Sequence, residues 1–188
     1  MPDEAKAALS EAERRLLIEH ARAAVQSRIG SVGDGAGGEP AVPALAAPGA
    51  AFVTLHVGGA LRGCIGTSER RRPLWSVVGE MAAAAATRDP RFRPIEVEDL
   101  TSLKVEISVL TPDVRIQSPE EIQIGRHGLD VRRGFARGLL LPQVAVEHGL
   151  DREHFLAATC RKAGLPADAW QDEKTEVRVF EAEVFGEE

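Results

Sequence analysis

Cysteine is scarce in this chain: 188 residues hold only Cys64 and Cys160, far apart in sequence. That spacing excludes a disulfide framework and predicts two free thiols in a reducing compartment. Positive charge is not in excess either. Lys and Arg number 23 against 29 Asp and Glu, and the net charge of -6 gives no electrostatic reason to expect nucleic acid as a partner. No apolar run approaches membrane-spanning length, and the opening Met-Pro-Asp-Glu-Ala-Lys lacks the apolar core of a signal peptide. Together these predict a cytoplasmic protein that does not enter the membrane. No pair among His20, His56, His127, His148 and His154 has a tight metal-ligand spacing with a cysteine, so neither a metal nor a cofactor is expected. A dinucleotide fingerprint, a nucleophile elbow and a kinase signature are all missing, and the Gly-rich run lacks the Lys-Ser/Thr of a P-loop.

What is present fits an ordinary globular fold, 44% hydrophobic and 28% charged. The length suits one domain over residues 1–188, with a core of about 10–186. Ser10-Glu11-Ala12-Glu13 is a capping box, and apolar residues at helical spacing follow it as far as Gly30. Residues 31–50 form a Gly/Ala/Pro-rich loop without a period. Pro73 starts a helix that runs to about Thr87 and is stopped by Asp89-Pro90. Arg70, Arg71 and Arg72 read as a solvated turn before it, and Arg88, Asp89, Arg91 and Arg93 as a second charged loop. Leu103, Val105, Ile107 and Val109 alternate with polar residues as a half-buried strand. Two strands near Gly128 and Gly138 meet at Arg133-Gly134. Short helices follow near Gln143 and after Asp151, and Thr175 to Phe185 reads as one final strand. Hairpins and helices mix without a βαβ rhythm, so the fold class is α+β, a mainly antiparallel sheet with flanking helices.

The stretch Leu61-Arg62-Gly63-Cys64-Ile65-Gly66-Thr67 organises the rest. In an extended chain Arg62 and Cys64 point one way, and a guanidinium beside a thiol favours the thiolate. Gly63 and Gly66 would let a ligand or another backbone come close. Cys64 as a small core residue is the plainer reading of these residues alone. The register bears on the choice. A two-residue Gly58-Gly59 turn pairs Val57 with Ala60 and puts Arg62 and Cys64 on the apolar side of Val53 and Leu55. A three-residue Gly58-Gly59-Ala60 loop pairs Val57 with Leu61. It gathers Val53, Leu55, Val57, Leu61 and Ile65 on one face, and Thr54, His56, Arg62 and Cys64 on the other. The second arrangement segregates apolar from polar residues and is the one expected. Cys64 with His127, in Gly125-Arg126-His127-Gly128, would form a nucleophile–base pair, and Glu106 could orient the imidazole. Glu106 reads equally well as an exposed strand carboxylate. Spacing does not show that the three meet.

Residues 61–67 resemble the hallmark of the AMMECR family, whose prokaryotic members are also called AmmeMemoRadiSam system protein A. The resemblance continues through Gly49–Leu55, Asp89-Pro90-Arg91-Phe92, Val105–Pro112, Gly125–Leu129, Gly138–Val144 and Cys160–Pro166, and then Trp170. It implies a single AMMECR-like domain with a larger and a smaller lobe, the hallmark lining the region between them. It supplies no established reaction. Catalytic roles are expected for Cys64, His127 and Glu106, and substrate contacts from Arg62, Gly63, Gly66, Thr67, Arg126 and Gln143. Memo-like and radical-SAM proteins are the partners the resemblance suggests, in a three-component modification system. Two functions stay open: a cysteine-dependent enzyme or subunit acting on a small anionic or acyl substrate, and a non-catalytic module that recruits a partner protein or RNA.

Overall fold

A computed structural model describes residues 8–30, 38 and 41–187. Part of the Gly-rich run, residues 31–37, 39 and 40, lies outside the described residues. The elements in chain order are α1 (Glu11–Arg28), α2 (Pro43–Ala46), β1 (Pro48–Val57), β2 (Ala60–Pro73), α3 (Leu74–Thr87) and β3 (Leu103–Leu110). They continue with β4 (Val114–Arg115), β5 (Gly128–Arg133), β6 (Ala136–Leu140), α4 (Pro142–Glu147), α5 (Arg152–Lys162), β7 (Glu176–Phe180) and β8 (Ala182–Gly186). The architecture is α+β, two antiparallel sheets with flanking helices. Contacts divide the chain into a larger unit, Met1–Leu110 with Glu183–Glu188, and a smaller one, Thr111–Ala182. Among the described residues no helix is long and apolar enough to cross a membrane.

In the larger unit the sheet order is β2-β1-β3-β8. The capping box at the start of α1 is closed: Ser10 Oγ accepts from the Glu13 N–H, and the Glu13 carboxylate accepts from the Ser10 N–H at 2.7 Å. Leu17, Ala21 and Val25 on α1 and Leu74, Val77 and Val78 on α3 are fully buried with Val53, Leu55 and Ile107 of the sheet. Each such Val, Leu or Ile side chain contributes about 1.5–3 kcal/mol of apolar burial. The other sheet, in order β4-β7-β5-β6, packs Leu129 and Val179 with Phe155 and Leu156 of α5. On β5, Asp130 is fully buried, with Arg132 and Arg137 both donating to its carboxylate.

Besides the end of the Gly/Ala/Pro-rich run expected as loop over 31–50, where Pro43–Ala46 form α2 and β1 begins at Pro48, three sequence expectations need correction. Arg70–Arg72 lie at the end of the long strand β2, not in a turn, and Arg70 Nη1 donates to the Leu110 carbonyl at 2.6 Å. The final strand is two strands in different sheets, β7 and β8, because the chain changes sheet at Glu181. The third concerns the central hairpin. Its turn is the two-residue Gly58-Gly59, both at positive φ (57° and 81°), and Val57 pairs with Ala60. Glycine adopts that type I′ geometry without a Cβ penalty, which is why the short turn wins. His56 then pairs with Leu61 and Leu55 with Gly63, so Arg62 is an extra residue. This β-bulge shifts the register by one and brings Ile65, not Cys64, opposite Val53. Cys64 therefore faces with Thr54 as expected, but Leu61 joins the polar face and is 40% exposed.

On the helix side of β2 a Cβ at Gly63 would lie 2.1 Å from the Ala85 carbonyl oxygen of α3. That atom is backbone and can move only with its helix. Gly63→Ala is expected to lower stability by about 3 kcal/mol, measured by chemical denaturation. An unchanged midpoint would contradict the packing described.

Candidate functional site around Cys64

Cross-strand pairs place Cys64 of β2, Thr54 of β1 and Glu106 of β3 in one row on the face of the sheet away from α3. The next rows on that face are Gly66, Phe52 and Ser108, and Leu61, His56 and Lys104. Cys64 is half-buried and its thiol is free. The Thr54 hydroxyl donates to Cys64 Sγ at 3.2 Å.

β2 is an edge strand, so at Cys64 one side of its backbone lacks a neighbouring strand. Bare edges of this kind normally need a cover. Here the cover is a pair of side chains from the loop after α3. Asp89 Oδ2 accepts from the Cys64 N–H at 2.9 Å, and Arg91 Nη2 donates to the Cys64 carbonyl at 3.4 Å. Asp89 also takes Arg91 Nε at 2.9 Å, Arg91 Nη2 at 2.6 Å and the Arg91 N–H at 3.2 Å. Both polar groups of the Cys64 backbone therefore point outward, making Cys64 and Thr54 a non-hydrogen-bonded pair. Side chains approach closest in such pairs, which suits the hydroxyl–sulfur contact.

The electrostatics follow. The Arg91 guanidinium holds the Asp89 carboxyl well below the usual carboxylate range, against the penalty of burial and with help from the Cys64 and Arg91 N–H groups. Asp89 in turn raises Arg91, and the Cys64 sulfur adds to that effect. The Asp89 side chain is 3% exposed, whereas that of Arg91 is 56% exposed. Arg91 spends Nε and Nη2 inside the clamp, and its outer edge faces solvent.

The other residues singled out from the sequence are distributed as follows. Arg62 reaches the Arg93 carbonyl at 3.4 Å, and its charge helps hold Asp99 low, after the Glu96 N–H and the Arg93 guanidinium. The space over Gly66 is filled by the Phe52 ring, as that over Gly63 is filled by α3, so packing alone accounts for both glycines. Thr67 pairs with Ala51 on the helix side, and its hydroxyl accepts from the Glu69 N–H. His127, Arg126 and Gln143 belong to the smaller unit. His127 Nδ1 accepts from the Gln123 N–H at 3.2 Å, and burial pushes its imidazole below its ordinary pKa. Arg126 pairs with Glu181 at 2.8 Å, and Gln143 sits half-buried in the first turn of α4. The structure thus brings Cys64 together with Thr54, Glu106 and His56 of its own sheet. Asp89 and Arg91 were legible as members of a charged loop and of the motif Asp89-Pro90-Arg91-Phe92, but not as partners of Cys64. Among the described residues no group of three or more His, Cys, Asp or Glu could hold a metal ion.

The Asp89 shift sets a pH dependence. A carboxyl lowered by folding adds stability that is full above its unfolded pKa, about 3.8–3.9, and lost as pH falls below it. Asp89→Asn is expected to cost about 1–3 kcal/mol near neutral pH, the half-exposed Arg91 limiting the loss. The variant should also lose less stability than the parent between pH 4 and 2. Denaturation at several pH values checks this, and parallel curves would contradict it.

Comparison with known proteins agrees over most of the chain. The sequence model described as AMMECR1 matches residues 18–185. A Methanothermobacter thermautotrophicus protein is 51% identical over 143 residues, covering 73% of this chain and 74% of its own. Protein MJ0810 of Methanocaldococcus jannaschii is 49% identical over 144 residues, 72% of each chain. The crystal structure of uncharacterized protein PH0010 from Pyrococcus horikoshii superposes with a TM-score of 0.83 at 43% identity, covering 92% of this chain and 90% of that one.

Proposed function

This chain belongs to the AMMECR1 family, and we propose that it acts through Cys64 as a cysteine-dependent enzyme or enzyme subunit on a small anionic or acyl substrate. The observation that carries the reading is the clamp. Asp89 and Arg91 hold both backbone polar groups of Cys64, while its sulfur stays half-buried under a donated hydroxyl. Cys160, by contrast, is fully buried within α5.

The chemistry runs as follows. The thiol gives its proton to a base on the same face, Glu106 or His56. The sulfur attacks the acyl carbon; an S–C bond forms, the bond to the leaving group breaks, and the leaving group takes the proton. Water then releases the acyl group. Thr54 steadies the negative sulfur by its hydroxyl, and the exposed edge of Arg91 holds a carboxylate or phosphate of the substrate. Work alongside Memo-like and radical-SAM proteins is part of the same proposal and rests on the family resemblance.

Iodoacetamide labelling of the folded protein, read by mass spectrometry, tests the reading. Cys64 should label while Cys160, whose thiol burial pushes up, stays unmodified until denaturation. Arg91→Gln and Thr54→Val should each slow Cys64 labelling by about three- to tenfold. His127→Ala tests the base expected from the sequence: a slower rate would assign that role to His127, and an unchanged rate would leave it to Glu106 or His56. A Cys64 as inert as Cys160 would overturn the enzyme reading in favour of a binding module.

A further inference from the structure

The edge of β2 carries a second pair of outward-facing backbone groups. In the regular ladder from Gly63 to Thr67, alternate residues turn N–H and C=O away from β1. One is Cys64, whose groups Asp89 and Arg91 hold; the other is Gly66. No described residue bonds to the outer side of the Gly66 backbone. Gly66 keeps exposed surface although the Phe52 ring covers its face. A bare donor and acceptor on a strand edge are a template for one more peptide unit.

The surroundings of Gly66 decide what that unit can be. The free edge is one residue long, because the clamp closes it at Cys64 and the register breaks after Thr67. A further strand has no room to pair, so the ligand is small. A parallel residue would need the Cys64 carbonyl, which Arg91 occupies, whereas an antiparallel one needs only Gly66. Its N–H then donates to the Gly66 carbonyl, and its own C-terminal oxygen accepts from the Gly66 N–H. Running antiparallel, that end points back toward Cys64 and the Arg91 guanidinium. Both Asp89 oxygens are bonded and its side chain is 3% exposed, so the charge a ligand meets there is Arg91. Arg91 Nη1 makes no bond among the described residues, and Cζ lies 5.1 Å from the Phe92 ring centroid. A positioned guanidinium with a free donor suits a carboxylate. We propose that this edge binds a small N-acyl amino acid. Its amide N–H lies on the Gly66 carbonyl, and its carboxylate is shared between the Gly66 N–H and Arg91. The proposal rests on the reading that Arg91 holds the substrate's anion, and not on chemistry at the sulfur.

N-Acetylglycine is the probe, with backbone-amide NMR of the folded chain as the readout. The Gly66 amide shift should saturate. N-Acetylsarcosine, which lacks the N–H, should bind about three- to tenfold more weakly, the worth of one hydrogen bond. N-Acetylglycinamide, which lacks the charge, should also bind more weakly, and Arg91→Gln should weaken N-acetylglycine but not its amide. Because Arg91→Gln also alters the clamp, the ligand series on the unsubstituted chain carries the test by itself. Cys64→Ala should bind N-acetylglycine as the parent does. An inert thiol in the labelling experiment would therefore leave this site standing, and a failure to bind would leave the labelling result untouched. The absence of a saturable Gly66 shift in the millimolar range would overturn the proposal. So would equal binding of N-acetylsarcosine, or loss of binding in Cys64→Ala.

Discussion

The contact on which the Cys64 region depends is one hydrogen bond, from the Cys64 N–H to the Asp89 carboxylate. It lies on the open side of an edge strand, where the fold supplies no neighbouring strand. A buried carboxylate is costly unless it is paired and hydrogen-bonded. Arg91 meets that condition through Nε and Nη2 and reaches on to the Cys64 carbonyl. Asp89 and Arg91 thus stand in for a missing strand over one residue. They fix the position of the Cys64 backbone, and the guanidinium that does so keeps a solvent-facing edge.

The central hairpin shows two local rules in conflict. Gly58-Gly59 dictates a tight two-residue turn, and the apolar pattern demands that Val53 face Ile65. Strict alternation cannot satisfy both, since the two registers differ by one residue. The extra residue at Arg62 reconciles them. Amphipathic segregation therefore predicted the face of Cys64 correctly although the turn was misread. Leu61, before the bulge, followed the turn instead and went to the polar face. Bulges are hard to read from sequence because nothing local marks them; here the sign was that turn and pattern disagreed.

The same distinction runs through the rest of the chain. Elements with strong local signals were legible: the α1 capping box, the α3 stop at Asp89-Pro90, and the alternation of β3. The two-residue strand β4 and the break at Glu181 were not, because they depend on sheet pairing that no short window contains. At the site, Cys64, Thr54 and His56 could be placed on one face by periodicity, whereas Glu106 joins them only through the pairing of β1 with β3. Arg91 could not be placed beside Cys64, because 27 residues separate them and only the fold closes that gap. Likewise Gly63 and Gly66 suggested room for a ligand, whereas the Ala85 carbonyl and the Phe52 ring fill that room. A glycine announces close approach without saying by what.

Hydrogen exchange at the Cys64 amide tests the clamp most directly. If Asp89 is what holds this N–H, the amide is protected in the parent protein and exposed in Asp89→Ala, while the Thr54 amide, bonded inside the sheet to β3, stays protected in both. A Cys64 amide that exchanges freely in the parent, or whose protection survives the loss of Asp89, would contradict the account.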